Sequence, residues 1–241
     1  MTCLGAILGA ALVLAGCGLE SGEKGDAPSK EQLALAKAAK ITPRAKTARI
    51  KYRIRSLPAG KMQLRATGLA RLDREQGVYD LLVKRFPGLP PDTRAEARVD
   101  GGVTYIRRSA TKRYGVFRGD AQVPTSISDV LPYLRAISGP IRPAGANTYK
   151  ATVDLNLVDE GLPEGRQAAY RLQVKRFITK KIPVTIQLDS KGRLKKISYR
   201  VERLVKPKAG EDEGVDYEAE LSDFGAKGDT KPPPERLIDR E

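Results

Sequence analysis

The sequence predicts an α+β fold: a curved antiparallel sheet with a few helices covering one of its faces. Three observations predict it. Successive segments alternate apolar and polar residues, so each strand has one greasy face and one wet face. Short turn signals separate most of these segments, as hairpins require. Two or three helical stretches interrupt the series, and a sheet with one apolar face needs such a cover.

The elements follow in chain order. Residues 4–16 are apolar or small and carry no charge. That run is shorter than the ~20 residues of a membrane-spanning helix and has the length of a signal-peptide apolar region. It ends in Leu14-Ala15-Gly16-Cys17, and the small, polar residues 18–28 follow as a flexible tether. Met1-Thr2-Cys3 lacks the basic start of a signal peptide, which a start codon assigned too far downstream would explain. The predicted organisation is a signal peptide over 1–16, a tether over 17–28, one folded domain over 29–226 and a disordered tail over 227–241.

Within the domain, Ser29 and Gln32 have capping-box spacing, and Leu33, Leu35, Ala36 and Ala39 follow. This predicts a helix over 30–40 that Pro43 stops. Ala48, Ile50, Tyr52 and Ile54 alternate with Arg49, Lys51, Arg53 and Arg55, which predicts a strand with four cations on its wet face. A Pro58-Ala59-Gly60 turn leads to a strand over 62–72, and a Gln76-Gly77 turn to a third over 77–85. Residues 94–99 and 103–107 flank Asp100-Gly101-Gly102 as a hairpin, and Tyr114 and Val116 belong to a further strand. Ser126 precedes Ile127, Val130, Leu131 and Leu134 at helical spacing, with Pro132 limiting the helix to a turn or two. Residues 149–155 form a strand, and 164–177 a helix with Ala168, Ala169, Leu172 and Lys175 on one side. Strands over 182–188, 194–203 and 215–221 close the sheet, the first two joined at Asp189-Ser190-Lys191-Gly192. Pro232-Pro233-Pro234 marks the predicted disordered tail.

Composition excludes several functions. The chain has 241 residues, a net charge of +15, two cysteines and no histidine or tryptophan. None of the charge lies in 1–16, so the exported chain keeps all of it and is drawn to an anionic membrane surface, at about 1 kcal/mol per nearby basic residue. Nucleic acid is not the expected partner, because the chain is exported and lacks aromatic-rich basic motifs. Much of the charge is equally a solvated strand face. Cys3 lies in the predicted signal segment and Cys17 at the head of the tether, so the folded domain over 29–226 has no thiol, disulfide or cysteine metal ligand. Without histidine it also lacks the commonest general base and metal ligand. The acidic residues Glu211, Asp212 and Glu213 lie in a Gly-flanked loop, and nothing fixes the carboxyl separation a glycosidase needs. No enzyme activity, metal or cofactor is expected.

Two stretches carry a family resemblance. Leu14-Ala15-Gly16-Cys17 resembles the lipobox of bacterial lipoproteins, in which the cysteine becomes acylated. Residues 182–197, with Asp189-Ser190-Lys191-Gly192-Arg193, together with 217–225, ending in Ser222-Asp223-Phe224-Gly225, resemble the closing hairpin and last strand of actinobacterial lipoproteins of the LppX/LprG type. Those share the LolA-like half-barrel of the Lol lipoprotein carriers, and the resemblance covers about residues 45–226. It implies a sheet wrapped around an apolar cavity that takes acyl chains of lipids or glycolipids. It also implies a protein held by palmitate-type acyl chains at Cys17 on the extracytoplasmic face of the cell membrane. The candidate cavity face is Ile50, Tyr52, Ile54, Leu64, Ala66, Val153, Leu155, Val184, Ile186, Tyr199 and Tyr217. An ordinary packed core is the alternative. Small residues at Ala66, Gly68, Ala70, Ala151 and Ala219 leave volume for a cavity. The stripe Arg49, Lys51, Arg53 and Arg55 is a surface for lipid headgroups or an acidic wall polymer, or a plain solvated face. Two functions remain open: a lipid-binding or lipid-carrying lipoprotein, and a non-enzymatic interaction or sensor lipoprotein with a filled core and a basic face. An apolar cavity of at least ~300 Å3 separates them.

Overall fold

The first helix, α1 (Lys30–Ile41), starts where its capping box places it: the Ser29 hydroxyl accepts from the Gln32 backbone, and the Gln32 side chain accepts from the Ser29 backbone. The computed structural model describes residues 28–57, 63–85, 90, 92–118, 130–162, 164–175, 177–202 and 214–239. The signal segment, Cys17, most of the tether, the Pro58-Ala59-Gly60 turn, the Ser126 helix start and the acidic loop at 211–213 lie outside the described residues.

After α1 the chain enters six sequential strands: β1 (Thr47–Leu57), β2 (Gln63–Arg71), β3 (Gln76–Arg85), β4 (Thr93–Asp100), β5 (Val103–Arg108) and β6 (Gly115–Arg118). A 3-10 turn at Leu131–Leu134, with Pro132 inside it, follows. Then come β7 (Ile137–Gly145), β8 (Thr148–Asp154), the helix α2 (Glu164–Val174), β9 (Lys181–Leu188), β10 (Leu194–Glu202) and β11 (Gly214–Ser222). All eleven strands form one sheet in the order β6-β5-β4-β3-β2-β1-β11-β10-β9-β8-β7. Every pairing between these strands is antiparallel, and the two sequential halves join where β1 pairs with β11. This is the large antiparallel sheet with few helices that the alternation predicts.

Alternation decides which side is inside. Along β1 each buried residue is followed by one at least partly exposed, and Ala48, Ile50, Tyr52 and Ile54 face the core. The same face of β2, β8, β9, β10 and β11 supplies one continuous apolar cluster. We call this the inner face and the charged side the outer face. Thr42 locks α1 to the sheet: its buried hydroxyl donates to the Ala38 carbonyl at 2.7 Å and accepts from Leu194 N at 2.9 Å. The β4–β5 hairpin turns on Gly101 and Gly102, at φ 54° and 84°, the left-handed geometry a two-residue hairpin loop requires.

Four expectations need correction. The bend between β2 and β3 occupies 72–75, and Gln76 already belongs to β3, where its side-chain amide donates to Asp100 at 2.8 Å. β7 has no counterpart in the sequence reading, which assigns nothing between Leu134 and Tyr149; the strand contains Gly139, Pro140 and Pro143. It is an edge strand with shifts in register, and edges and bulges are where a sheet tolerates proline. Helix α2 buries Val174, and Phe177 just beyond it, not the side predicted; Leu172 and Lys175 are exposed. The predicted disordered tail is ordered as far as residue 239 and straps the outer face. Gly225 N bonds Thr47 O, Gly228 lies against Leu69, Arg98 donates to Asp229 at 2.8 Å, and Tyr114 exchanges backbone bonds with Leu237 and Asp239. The strap answers otherwise open outer-face groups on β2, β4 and the segment leading into β6, which composition alone could not show.

Candidate functional site

All eleven candidate cavity residues lie in the single buried cluster. Ten sit on strands of the inner face, in register: Tyr52 opposite Ala66 and Ala219, Ile54 opposite Leu64 and Tyr217, Tyr199 opposite Tyr217 and Val184. Leu155 lies just past β8, in a 3-10 turn whose first amide bonds Lys180 O.

At the centre of this face the side chains fill space. Tyr199 stacks between Tyr133 of the 3-10 turn and Tyr217 of β11, with ring centroids 5.0 and 4.8 Å away. Each such pair contributes about 0.5–1.5 kcal/mol beyond its buried area. Burial, then the neighbouring Tyr133, pushes the Tyr199 hydroxyl well above its ordinary pKa, and the Tyr170 hydroxyl of α2 is raised for the same reasons. These phenols are neutral polar groups in an apolar interior. Gly68, expected to leave volume, does not: a Cβ there would meet the Val78 carbonyl and the Tyr79 ring, the latter at 2.8 Å. Tyr79 in turn meets Tyr52 edge-on at 5.9 Å.

Toward the end of the sheet where β1 finishes and β4 begins, burial on the inner face is less complete. Leu81 and Val83 of β3, Ala95 of β4 and Ile106 of β5 continue the inner face but are only partly buried. Leu81 pairs with Ala66 and Ala95, Val83 with Leu64, and Ile106 with Ala97, so the patch is contiguous with the predicted face. The alternation over 77–85 and 94–99 carries this signal, but the predicted face stops at Ala66.

The outer face is a charge ladder. The stripe on β1 runs opposite Asp216, Glu218 and Glu220 of β11, which in turn face Arg200, Ser198 and Lys196 of β10. Arg53 and Lys196 reach Glu218 at 3.4 and 3.0 Å, and Arg200 reaches Asp216 at 2.7 Å. The Arg200 hydrogen bond, aided by Arg55 and Arg53, holds the Asp216 carboxyl below its usual range. The stripe is thus partly answered within the sheet, as opposite charges across strands are. A second network centres on Glu96, which accepts from Arg98 at 2.7 Å, from Tyr114 OH at 2.7 Å and from Arg107. Beside it a groove of about 720 Å3 opens over β2–β5, with Arg65, Thr67, Asp80, Arg94 and Arg107 in its lining. Its lining is mixed, since Ala66, Leu81, Leu82 and Ala95 lie among these charged and polar residues. Among the described residues no group of acids, cysteines or histidines is placed to hold a metal, and no helix is long and apolar enough to cross a membrane.

No family model matches the chain, and neither does any curated protein. Among solved structures it is similar to an uncharacterized conserved protein from Thermus thermophilus, at 10% identity and a TM-score of 0.40, over 88% of this chain and 100% of that one. It is also similar to a LolA superfamily protein from Nitrosomonas europaea, at 11% identity and a TM-score of 0.34, over 87% of this chain and 97% of that one. At TM-scores below 0.5 these likenesses carry no inference about ligand or role.

Proposed function

We propose that the chain is a membrane-anchored, extracytoplasmic lipoprotein that binds lipid acyl chains against the inner face of its sheet, with no catalytic step. One observation carries the reading: Leu81, Val83 and Ile106 continue the buried apolar face as residues that are only partly buried. Acyl chains are the apolar, extended ligands that such a strip of methyl groups buries well. The anchor is acyl chains on Cys17, and two or more are needed, since one chain holds only marginally. Metabolic labelling with a fatty-acid analogue is expected to mark the wild-type protein and not Cys17→Ala. An unlabelled wild type whose N-terminal peptide does not begin at Cys17 removes the anchor.

The acyl site is tested by titrating the full chain with a fluorescent fatty acid. Wild type is expected to bind, and Val83→Arg and Ile106→Arg to bind at least about tenfold more weakly, one factor of ten being about 1.4 kcal/mol. Equal binding by all three rejects the site. A second reading, an interaction or sensor lipoprotein with a filled core, is favoured by the stacked tyrosines and by Tyr79 occupying the space beside Gly68. It predicts no binding by any of the three.

A further inference from the structure

Three large apolar side chains stand out in solvent on the α2 side of the molecule: Leu172 at 66% exposure, Ile178 at 57% and Leu157 at 43%. They rise from three segments that are tied together. Leu155 N bonds Lys180 O at 2.7 Å, the Lys180 ammonium donates to Val174 O, and Phe177 N bonds Val174 O at 3.1 Å. Ile178 N bonds Glu202 O at 2.9 Å, which fixes this cluster at the end of β10. That is the end of the sheet toward which the inner apolar patch opens, because Glu202 lies opposite Gly214 and Gly214 opposite Leu57. A packed core does not explain the trio, because helix α2 turns Val174 inward and Leu172 outward.

Lysines surround the trio: Lys175, Lys180 and Lys181, with Arg171, stand among the acids Asp154, Asp159, Glu160, Glu164 and Glu202, and Lys181 lies opposite Asp154 across the β8–β9 pair. Arg171 answers the buried Asp159, while Lys175 and Lys181 have no ion-pair partner among the described residues. Apolar side chains within a collar of lysines match an anionic bilayer, whose acyl boundary takes the apolar groups and whose headgroups take the ammoniums. We propose that Leu157, Leu172 and Ile178, with Lys175 and Lys181, form a docking surface for an anionic lipid bilayer. The inference rests on the reading of the protein as membrane-associated, and it sets the orientation: the sheet end carrying the partly covered apolar patch faces the lipid.

The test uses the full chain with Cys3→Ser and Cys17→Ser, labelled with an environment-sensitive fluorophore at Asn156→Cys or, as a control, at Lys191→Cys in the β9–β10 turn. Vesicles are phosphatidylcholine alone or phosphatidylcholine with about one-third phosphatidylglycerol. The probe at 156 is expected to brighten at least about twofold and shift to the blue on anionic vesicles, less at high salt, while the probe at 191 stays aqueous. Leu172→Ser with Ile178→Ser, both at exposed positions, is expected to keep its circular dichroism and abolish most of the change at 156. An aqueous probe at 156 while the chain sediments with vesicles overturns the surface. So do equal changes at 156 and 191, or a double variant that behaves as wild type. Neither acylation of Cys17 nor binding of free fatty acid enters this readout, so its failure is distinct from failure of the proposed function.

Discussion

At the scale of single residues, two polar side chains hold the architecture and give measurable predictions. Thr42 satisfies Leu194 N in a fully buried position. Thr42→Val keeps the shape and strands that amide, so it is expected to cost about 1–3 kcal/mol in urea denaturation. Thr42→Ser, which keeps the hydroxyl, is expected to lose less. Glu96 is the second. Partial burial pushes its carboxyl up, but hydrogen bonds from Tyr114, Arg98 and Arg107 outweigh that and hold it below the usual range. The folded-state pKa is therefore depressed. Its stabilisation is present above the unfolded glutamate value of about 4.3 and is lost as pH falls through the folded value. Glu96→Gln is expected to cost about 1–2 kcal/mol near pH 7, discounted for its exposed fraction, and the gap to wild type is expected to close as pH falls below about 4.3. A gap that stays constant as pH falls contradicts the charged role. Gly68 shows the limit of reading size from sequence. A glycine on the inner face suggests spare volume, yet the Tyr79 ring lies over it. Gly68→Ala is expected to destabilise by about 1–3 kcal/mol through overpacking, seen as a lowered melting temperature.

At the scale of elements, the legible parts are those where local pattern and tertiary environment agree. The α1 capping box and the alternation in β1, β9 and β11 follow from adjacent residues alone, and the structure keeps them. β7 is not legible because its prolines and Gly139 argue against a central strand, and its edge position is a property of the whole sheet. The packed side of α2 differs from the expected one because Ala168, Leu172 and Lys175 make an acceptable stripe, while Val174 and Phe177 are chosen by what lies beneath them. Val174→Ala is expected to cost about 1–2.5 kcal/mol and Leu172→Ala less than about 0.5. The reverse order restores the sequence reading of the helix. The C-terminal strap is hidden by its polar, proline-rich composition, since its partners Arg98 and Tyr114 are more than a hundred positions away. Truncation after Ala226 removes the Arg98–Asp229 pair and both backbone bonds at Tyr114, and is expected to cost about 2–4 kcal/mol and expose the β4–β6 edge to proteolysis. A truncated chain as stable and protease-resistant as wild type leaves the strap without a structural role.

At the scale of the whole molecule, one sheet separates two chemistries. The outer face is a ladder in which cations of β1 and β10 are partly answered by the acids of β11, closed by the strap. The inner face is apolar across both halves and filled by tyrosines at its centre, and it is only partly covered beyond Ala66 toward the sheet edge. The centre of that face is legible residue by residue, because alternation marks it. The partly exposed part is not, because alternation marks which side a residue faces and not how completely that side is covered. The account stands or falls on whether that part holds lipid. Native mass spectrometry of the full chain, extracted from its own membranes in mild detergent, tests this most directly. A protein mass raised by one or more noncovalently held lipids, released on collisional heating and reduced in Val83→Arg and Ile106→Arg, is the predicted result. A wild-type spectrum with no noncovalent lipid, even after incubation with membrane lipid extract, would contradict the account.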